Sequence, residues 1–330
     1  MILVQIAGGL GNQMFQYALA RKLATKGDGI VLADTYLLGV QMHPARKYRL
    51  DKFRVQAPRV PWHYVIRYNP GEFLTRLARR NLSAPQAKRL LYRFERLGFK
   101  SSCDYRFYKY EPGQPQPPLQ VGRTVSQRQF HYDPEVENLS GDLVLMGYWQ
   151  SEKYFTDIAP QLRADLQLRA PFAGEDAKVA EQMKQTLSVS LHVRRSDKAI
   201  AKDFNASDSV YCLRAVEWFR SRLDSPKFFV FSDDWEWTRQ HLPEASDIQY
   251  VAHNSVGQDL EEWNWEENLS LMSQCRHHII GPSSFSWWAA WLNPDPNKIV
   301  LSPPHQRWLN FRNCDTSDVI PASWIQIDDR

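Results

Sequence analysis

The chain has 330 residues, a formal net charge of +4 and 43% hydrophobic residues, a composition typical of a globular protein. The charge is too small to indicate nucleic acid as a partner by itself. No run approaches the roughly 20 apolar residues of a membrane span, and the first residues, MILVQIAGGLGNQ, lack the basic start and cleavage site of a secretory signal. The four cysteines lie far apart without a C-x-x-C pair, which argues against a zinc cage and favours a reducing, cytoplasmic compartment.

The first half of the chain opens with the pattern of an α/β unit. Residues 2–7 predict a strand, a glycine-rich turn and a helical pattern follow, and residues 30–33 predict a second strand. Residues 67–100 carry a local net charge of +7 and an apolar stripe at helical spacing, so we predict a basic helical insertion there. The proline-rich residues 111–118 predict a loop, and residues 142–146 predict a strand.

The second half alternates strand and helix patterns. Strands are predicted at residues 187–193, 227–231, 247–251, 277–280 and 298–301, and helices at residues 211–223, 268–275 and 285–292. This alternation predicts a parallel sheet with right-handed crossovers. We therefore expect an α/β protein with an N-terminal α/β domain over residues 1–184 and a C-terminal Rossmann-like domain over residues 185–330.

Polar residues follow three of the C-terminal strands, and ligands of open parallel sheets bind beyond such strand ends. After the first strand come Arg194 and Arg195, whose guanidinium forks suit phosphate. Because neighbours in a strand point to opposite faces, both can reach one ligand only if the strand ends there. The alternative is an ion pair between an arginine and Asp197.

The other two strand ends complete a pocket suited to a nucleotide diphosphate. Ser232 and Asp233 can accept hydrogen bonds from ribose or base, or one of them caps the following helix. The loop at residues 281–286 leads into a helix whose N–H groups suit phosphate, although Ser283 or Ser284 can instead serve as the cap. No cluster of metal ligands accompanies these motifs, so we expect arginine to neutralise the phosphates.

The glycine loop at residues 8–13 is a weaker signal, because it lacks the Lys-Ser/Thr of a P-loop. Its glycines allow close backbone approach, and Asn12 and Gln13 would then point polar groups into a cleft. The tryptophan clusters of the second half could stack on sugars, but tryptophans 287, 288 and 291 stand at helical spacing, which favours a core position.

Five segments, taken in order, resemble glycosyltransferase family 11, the α-1,2-fucosyltransferases. They are GGLGNQMFQYA (8–18), GYWQSEKYF (147–155), HVRRSD (192–197), FSDD (231–234) and LMSQCRHHIIGPSSFSWWAAWLN (271–293). They extend over nearly the whole chain, and the ordered set is highly specific. The HVRRSD segment alone also resembles α-1,6- and protein O-fucosyltransferases.

The resemblance implies a GT-B-like architecture of two Rossmann-like domains facing across a cleft. It implies GDP-β-L-fucose as donor and metal-independent, inverting transfer to the 2-hydroxyl of a galactoside. The donor-binding residues are expected to be His192, Arg194, Arg195, Ser232, Asp233, Asn268, Ser283, Ser284 and Phe285. The acceptor side is expected to include Gly9, Asn12, Gln13 and Asp34.

For inverting transfer a carboxylate should take the proton of the acceptor hydroxyl, and Asp197 is the leading candidate, with Asp203 and Asp34 in reserve. Arg195 and Asn12 are the other predicted catalytic residues. Alternatively, Asp197 only orients Arg194 or His192.

The chain departs from the family pattern at two places. Asn268 stands where bacterial members usually have an acid, and residues 198–208 do not follow the usual family sequence. That stretch is a candidate for acceptor selection.

The resemblance also bears on partners. We expect a galactose-terminated oligosaccharide or lipid-linked glycan as acceptor, no nucleic acid, and weak peripheral association of the basic stretch with anionic membrane; a solvated helix is the alternative. Two further alternatives stay open: a non-catalytic sugar-nucleotide or glycan-binding protein on the same fold, and a fucosyltransferase of different linkage. An RNA-binding role lacks a supporting motif.

Overall fold

The computed structural model describes residues 1–34, 47–60, 86, 89–90, 118–195, 206–255, 260–309 and 314–328. Internal contacts divide the chain into two compact units. The first comprises Met1–Tyr48, Gln56–Ile158 and Asn313–Asp315, and the second comprises Arg49–Val55, Ala159–Arg312 and Thr316–Arg330.

The first unit contains a six-stranded sheet in the order β3-β2-β1-β6-β5-β4. Its strands are β1 (Ile2–Ile6), β2 (Ile30–Asp34), β3 (Arg59–Val60), β4 (Gln120–Val121), β5 (Thr124–Ser126) and β6 (Leu143–Met146). All neighbours pair in parallel except β4 and β5. Helix α1 (Leu10–Leu23) follows β1 directly and packs on it, as the opening sequence pattern predicts.

The second unit contains a parallel six-stranded sheet in the order β12-β11-β10-β7-β8-β9. Its strands are β7 (Ser188–Val193), β8 (Lys227–Ser232), β9 (Ile248–Tyr250), β10 (His277–Ile279), β11 (Val300–Ser302) and β12 (Ile325–Gln326). Its helices are α2 (Ala159–Asp165), α3 (Gly174–Gln185), α4 (Ser209–Arg220), α5 (Trp235–His241), α6 (Trp265–Met272) and α7 (Ser284–Leu292).

The central strands β1 and β7 are buried on both faces, as is usual in parallel sheets, although β7 carries three polar residues, Ser188, Ser190 and His192. All residues of β1 and of β7 are buried. The tryptophans of α7 confirm the prediction of a core position, because Trp287 and Trp288 are fully buried. The indole N–H of Trp287 donates to the carbonyl of Val319 at 2.6 Å, which satisfies its polar atom.

These sheets confirm the predicted α/β fold with two mostly parallel sheets, whereas the facing arrangement of the domains stays a prediction. The division between the units differs from the predicted boundary at residues 184 and 185. Helix α3 contacts α6, and the guanidinium of Arg163 on α2 lies 4.9 Å from the ring of Trp291, so residues 159–185 pack on the second unit.

Local predictions differ from the structure at helix ends. The sequence pattern of residues 151–168 is helical, but the structure has two short 3-10 turns there before α2, the first of which is capped by the Ser151 hydroxyl. Most of the predicted basic insertion at residues 67–100 lies outside the described residues. Among the helices that the structure describes, none is both long and apolar enough to cross a membrane.

Candidate functional site

The three polar segments follow three strands that are neighbours in the second sheet. Strand β7 lies between β10 and β8, so the residues after these strands meet at one carboxyl edge. Strand β7 ends at Val193, immediately before Arg194 and Arg195. The condition under which both arginines can reach one ligand is therefore fulfilled.

Asp233 organises the arginine pair. Its side chain is fully buried, its carboxylate accepts a hydrogen bond from the backbone N–H of Arg195 at 2.7 Å, and it forms an ion pair with the guanidinium of Arg194. Arg194 is thus in an internal ion pair with Asp233, whereas the alternative pairing of an arginine with Asp197 stays untested, because Asp197 lies outside the described residues. Asp233 therefore positions the arginine pair, and its contact with the donor stays a prediction.

Ser207 forms hydrogen bonds with both arginines. Its hydroxyl accepts from the N–H of Arg194 at 2.8 Å, its own N–H donates to the carbonyl of Arg194, and its carbonyl accepts from Nη1 of Arg195 at 2.7 Å. Sequence motifs did not indicate Ser207. Its position does explain the glycine at 281, because a Cβ there would lie 2.7 Å from the Ser207 hydroxyl. Residues 196–205, with Asp197 and Asp203, lie outside the described residues.

One of the residues after β8 caps helix α5. The cap is Asp234, and not Ser232 or Asp233 as the alternative from the sequence proposes. Asp234 is the N-cap, and its carboxylate accepts from the N–H of Trp237 at 3.1 Å. The Ser232 hydroxyl accepts from the N–H of Asp234 at 2.9 Å and bonds to Thr238. Ser232 is therefore part of the support beneath the site.

The loop after β10 places the N-terminus of α7 at the same edge. Ser283 is its N-cap, with a hydroxyl that accepts from the N–H of Phe285 at 3.3 Å, and Ser284 is the first residue of the helix. The rings of Phe285 and His192 lie 5.2 Å apart, and Trp265 meets Phe285 edge-on at 5.6 Å. The spacing of Trp265 in the sequence does not distinguish it from an ordinary buried helix residue.

Helix α6 carries Asn268, which is 3% exposed and whose side-chain oxygen has no hydrogen-bond partner among the described residues. On the same helix the buried carboxylate of Glu266 pairs with Nη1 of Arg49 at 3.1 Å, and that nitrogen also lies 3.4 Å from the carbonyl of Trp263. Residues 49–55 thus brace the helix that holds Asn268.

Helix α4 holds the ends of strands β10 and β11 through Tyr211. The Tyr211 hydroxyl donates to the carbonyl of Ile280 at 2.8 Å and lies 3.1 Å from that of Leu301, and burial raises the pKa of Tyr211, so it stays a protonated donor. Burial, with the charge of Asp208 adding to it, raises the pKa of Cys212 to about 12, which makes this thiol inert as a nucleophile.

In the first unit the glycine loop is held by amide side chains. Gln13 is fully buried and donates to the carbonyls of Gly8 and Lys47 at 3.1 and 2.8 Å. Gln13 is therefore a support of the loop, and its place on the acceptor side stays a prediction. The Asn12 side-chain oxygen accepts from Gln150 at 2.8 Å.

Glycine at position 8 has two reasons. Its φ is +79°, and a Cβ there would lie 2.5 Å from the Asn12 amide nitrogen. Gly9 is the N-cap position of α1, and Asp34 ends β2, with a side chain outside the described part of the chain.

Gln16 is a further support, which the motifs of the sequence did not indicate. It accepts from the N–H of Ala7 and donates to the carbonyl of Gly147, both at 2.9 Å, and so joins the ends of the adjacent strands β1 and β6. Its signal was its position one turn after Asn12, as the one strongly polar residue in the apolar run 14–20 of the helix.

The second sheet thus ends in an arginine pair, a capped helix N-terminus and the rings of His192, Phe285 and Trp265, an arrangement whose charges and N–H groups suit a phosphate ligand. Within the described ranges no group of three or more His, Cys, Asp or Glu side chains is placed to hold a metal ion.

The model of glycosyl transferase family 11 matches residues 139–328, and the chain belongs to this family of glycosyltransferases. An α-1,2-colitosyltransferase of Escherichia coli is 26% identical over 99% of both chains. A galactoside α-(1,2)-fucosyltransferase 1 of Saimiri boliviensis boliviensis is 28% identical over 46% of this chain and 43% of its own length.

Among solved structures, the NodZ α-1,6-fucosyltransferase soaked with GDP-fucose is similar, with 13% identity and a TM-score of 0.46. That similarity covers 95% of this chain and 99% of the other.

Proposed function

We propose that the protein transfers L-fucose from GDP-β-L-fucose, with inversion, to the 2-hydroxyl of a terminal galactoside. The observation that carries this proposal is the Arg194–Arg195–Asp233 arrangement at the carboxyl edge of the second sheet, inside the region that matches the family. The linkage rests on the two relatives, whose names both specify α-1,2 transfer.

The chemistry follows from the charges at this edge. When the bond between fucose and diphosphate breaks, the leaving group gains negative charge, and groups already fixed in place stabilise it. Arg194 is balanced by the buried Asp233, so Arg195 supplies the larger share of positive charge to a ligand. The N-terminus of α7 adds its dipole and backbone N–H groups.

A base is still required, and we propose Asp197, which follows the arginines by two residues. A product of α configuration from a β donor requires a single in-line displacement, with the acceptor hydroxyl attacking opposite the diphosphate. Asp203 and Asp34 are the reserve candidates, and Asn12 is proposed for the acceptor side.

The donor sugar has a second candidate. One relative that aligns over almost the full chain is a colitosyltransferase, and colitose is fucose without its 3-hydroxyl. A comparison of kcat/KM for GDP-fucose and GDP-colitose decides between them. We expect GDP-fucose to be the better donor, and a preference for GDP-colitose would reassign the donor while keeping the reaction type.

We further propose that the enzyme works without a metal, in the cytoplasm, on a glycan that is free or lipid-linked. The basic residues of the stretch 67–100 would hold it weakly on an anionic leaflet, since each such residue contributes about 1 kcal/mol near the surface. Co-sedimentation with anionic vesicles at low salt, lost at about 0.5 M salt, supports this. Equal binding to neutral vesicles contradicts it.

The competing hypothesis is a non-catalytic sugar-nucleotide-binding protein on the same fold. Release of GDP from GDP-fucose distinguishes the two. We expect GDP to accumulate over many turnovers only when a galactoside is added. Tight binding of GDP-fucose without any acceptor-dependent release would favour the binding protein.

A further inference from the structure

The side chain of Trp237 lies against the guanidinium of Arg195. The guanidinium carbon of Arg195 lies 3.9 Å from the ring centroid of Trp237, on helix α5. At this distance a guanidinium stacks on the ring face, which attracts it electrostatically.

The indole is itself held in place. The backbone N–H of Trp237 donates to the carboxylate of the N-cap residue, Asp234, at 3.1 Å, which fixes the helix turn that carries the indole. One turn later the His241 ring stacks on the indole, with centroids 4.1 Å apart and planes 13° from parallel, and its Nδ1 donates to the Trp237 carbonyl at 2.8 Å. Trp237 is therefore a fixed surface.

Stacking matters for Arg195, because its guanidinium has few hydrogen bonds to the described residues. Nη1 donates to the carbonyl of Ser207, whereas Nε is buried without a hydrogen-bond partner among the described residues. The carboxylate of Asp234 lies 3.9 Å from Nε, beyond hydrogen-bond distance. Arg194, by contrast, is fixed by its ion pair with Asp233.

We propose that Trp237 is a positioning residue, which orients the guanidinium of Arg195 toward the diphosphate of the donor. A stacked guanidinium keeps its in-plane N–H groups available for a bidentate contact with phosphate. The proposal rests on the proposed function, since it assumes that Arg195 meets the phosphates. The competing explanation is that Trp237 only packs against the buried core of the second unit, which it also contacts.

The test compares two ligands that differ only in their phosphates. GDP and guanosine are titrated against the wild type, Trp237→Met and Trp237→Phe. Loss of the aromatic face should weaken GDP about five- to thirty-fold, the range that such a contact supports. Guanosine should change less than twofold, and Trp237→Phe should restore most of the GDP affinity. Trp237→Leu replaces the Met variant if the latter does not fold.

Trp235→Met is the matched control. Trp235 lies on the same helix and packs on the same core, but its ring meets Tyr250 edge-on at 6.3 Å. This variant should lower thermal stability without changing the ratio of GDP to guanosine affinity. In an Arg195→Met background, Trp237→Met should weaken GDP no further, because the tryptophan acts through the arginine.

Equal weakening of GDP and guanosine, or unchanged GDP affinity in Trp237→Met, would overturn the proposal. A wild-type protein that binds GDP but forms no product from GDP-fucose would contradict the proposed function alone, and the ligand comparison would still decide the role of Trp237. A wild type that binds no GDP would contradict both.

Discussion

Two neighbouring arginines have different roles at the edge of the second sheet. Arg194 is neutralised by a buried carboxylate and fixes the strand end, whereas Arg195 is held by stacking and by one carbonyl. The sequence pattern predicted both as phosphate ligands, because two consecutive arginines do not show which of them has an acidic side chain as its neighbour in the fold. Only the parallel pairing of β7 with β8 brings Asp233 to Arg194.

Replacing Arg195 by lysine should reduce turnover by roughly 10²-fold or more, in line with removing one charge-stabilising donor. Lysine keeps the charge but loses the planar fork and the stacking on Trp237. Steady-state kinetics measure this, with thermal unfolding as the control for folding. Near-wild-type kinetics would mean that the arginine is structural.

Replacing Asp197 by asparagine should abolish transfer while GDP still binds. Asparagine has nearly the same shape and can hydrogen-bond, but it cannot take the proton of the acceptor hydroxyl. GDP titration and a transfer assay on the same preparation separate the two steps. Parallel loss of both would make Asp197 an orienting residue, and continued transfer would direct the search to Asp203.

At the scale of elements, strand–helix alternation predicted most of the second unit, since its apolar runs and capped helices agree with each other locally. The brace formed by residues 49–55 was not predictable, because Arg49 and Glu266 are more than 200 residues apart and their pairing depends on tertiary packing. The burial of Gln13 was not predictable either. It depends on hydrogen bonds to the carbonyls of Gly8 and Lys47, and the sequence does not show that Lys47 lies near this loop.

The brace leads to a prediction on stability. The side chains of Arg49 and Glu266 are 10% and 4% exposed. Removing Arg49 leaves the buried Glu266 carboxylate to the more distant Nζ of the exposed Lys52, at 3.7 Å and beyond hydrogen-bond distance. Arg49→Met should therefore cost about 3–5 kcal/mol of unfolding free energy, and Arg49→Met with Glu266→Gln should cost less. Urea unfolding measures both.

Lys52→Met is the control, because Lys52 is 45% exposed and pairs mainly with Glu267 at 2.7 Å. Such an exposed pair contributes about 1 kcal/mol or less. If Arg49→Met loses no more stability than Lys52→Met, the buried pair is not a brace.

At the scale of the whole molecule, the resemblance of five sequence segments to one family was enough to predict the fold class and the reaction class. The position of the unit boundary was not predictable in this way, because it depends on the tertiary contacts of residues 159–185. Residues 196–205, which hold the proposed base, lie outside the described residues and stay a matter for experiment.

Stabilisation of the leaving group by arginine and a helix N-terminus has a consequence for the whole enzyme. Transfer should continue at an unchanged rate in excess EDTA, because fixed protein charges meet the diphosphate. The transfer rate before and after extensive chelation, with a Mn²⁺-dependent glycosyltransferase assayed in parallel, checks this. Activity that is lost with EDTA and restored by Mn²⁺ or Mg²⁺ would refute it.

The most direct test of the central claim is the structure of the product. Purified protein is incubated with GDP-fucose and a small panel of galactosides, and the linkage of the product is assigned by NMR. We predict an α-linked fucose on the 2-hydroxyl of a terminal galactose. A product with fucose at another position or in β configuration, or no product with any galactoside, would contradict it.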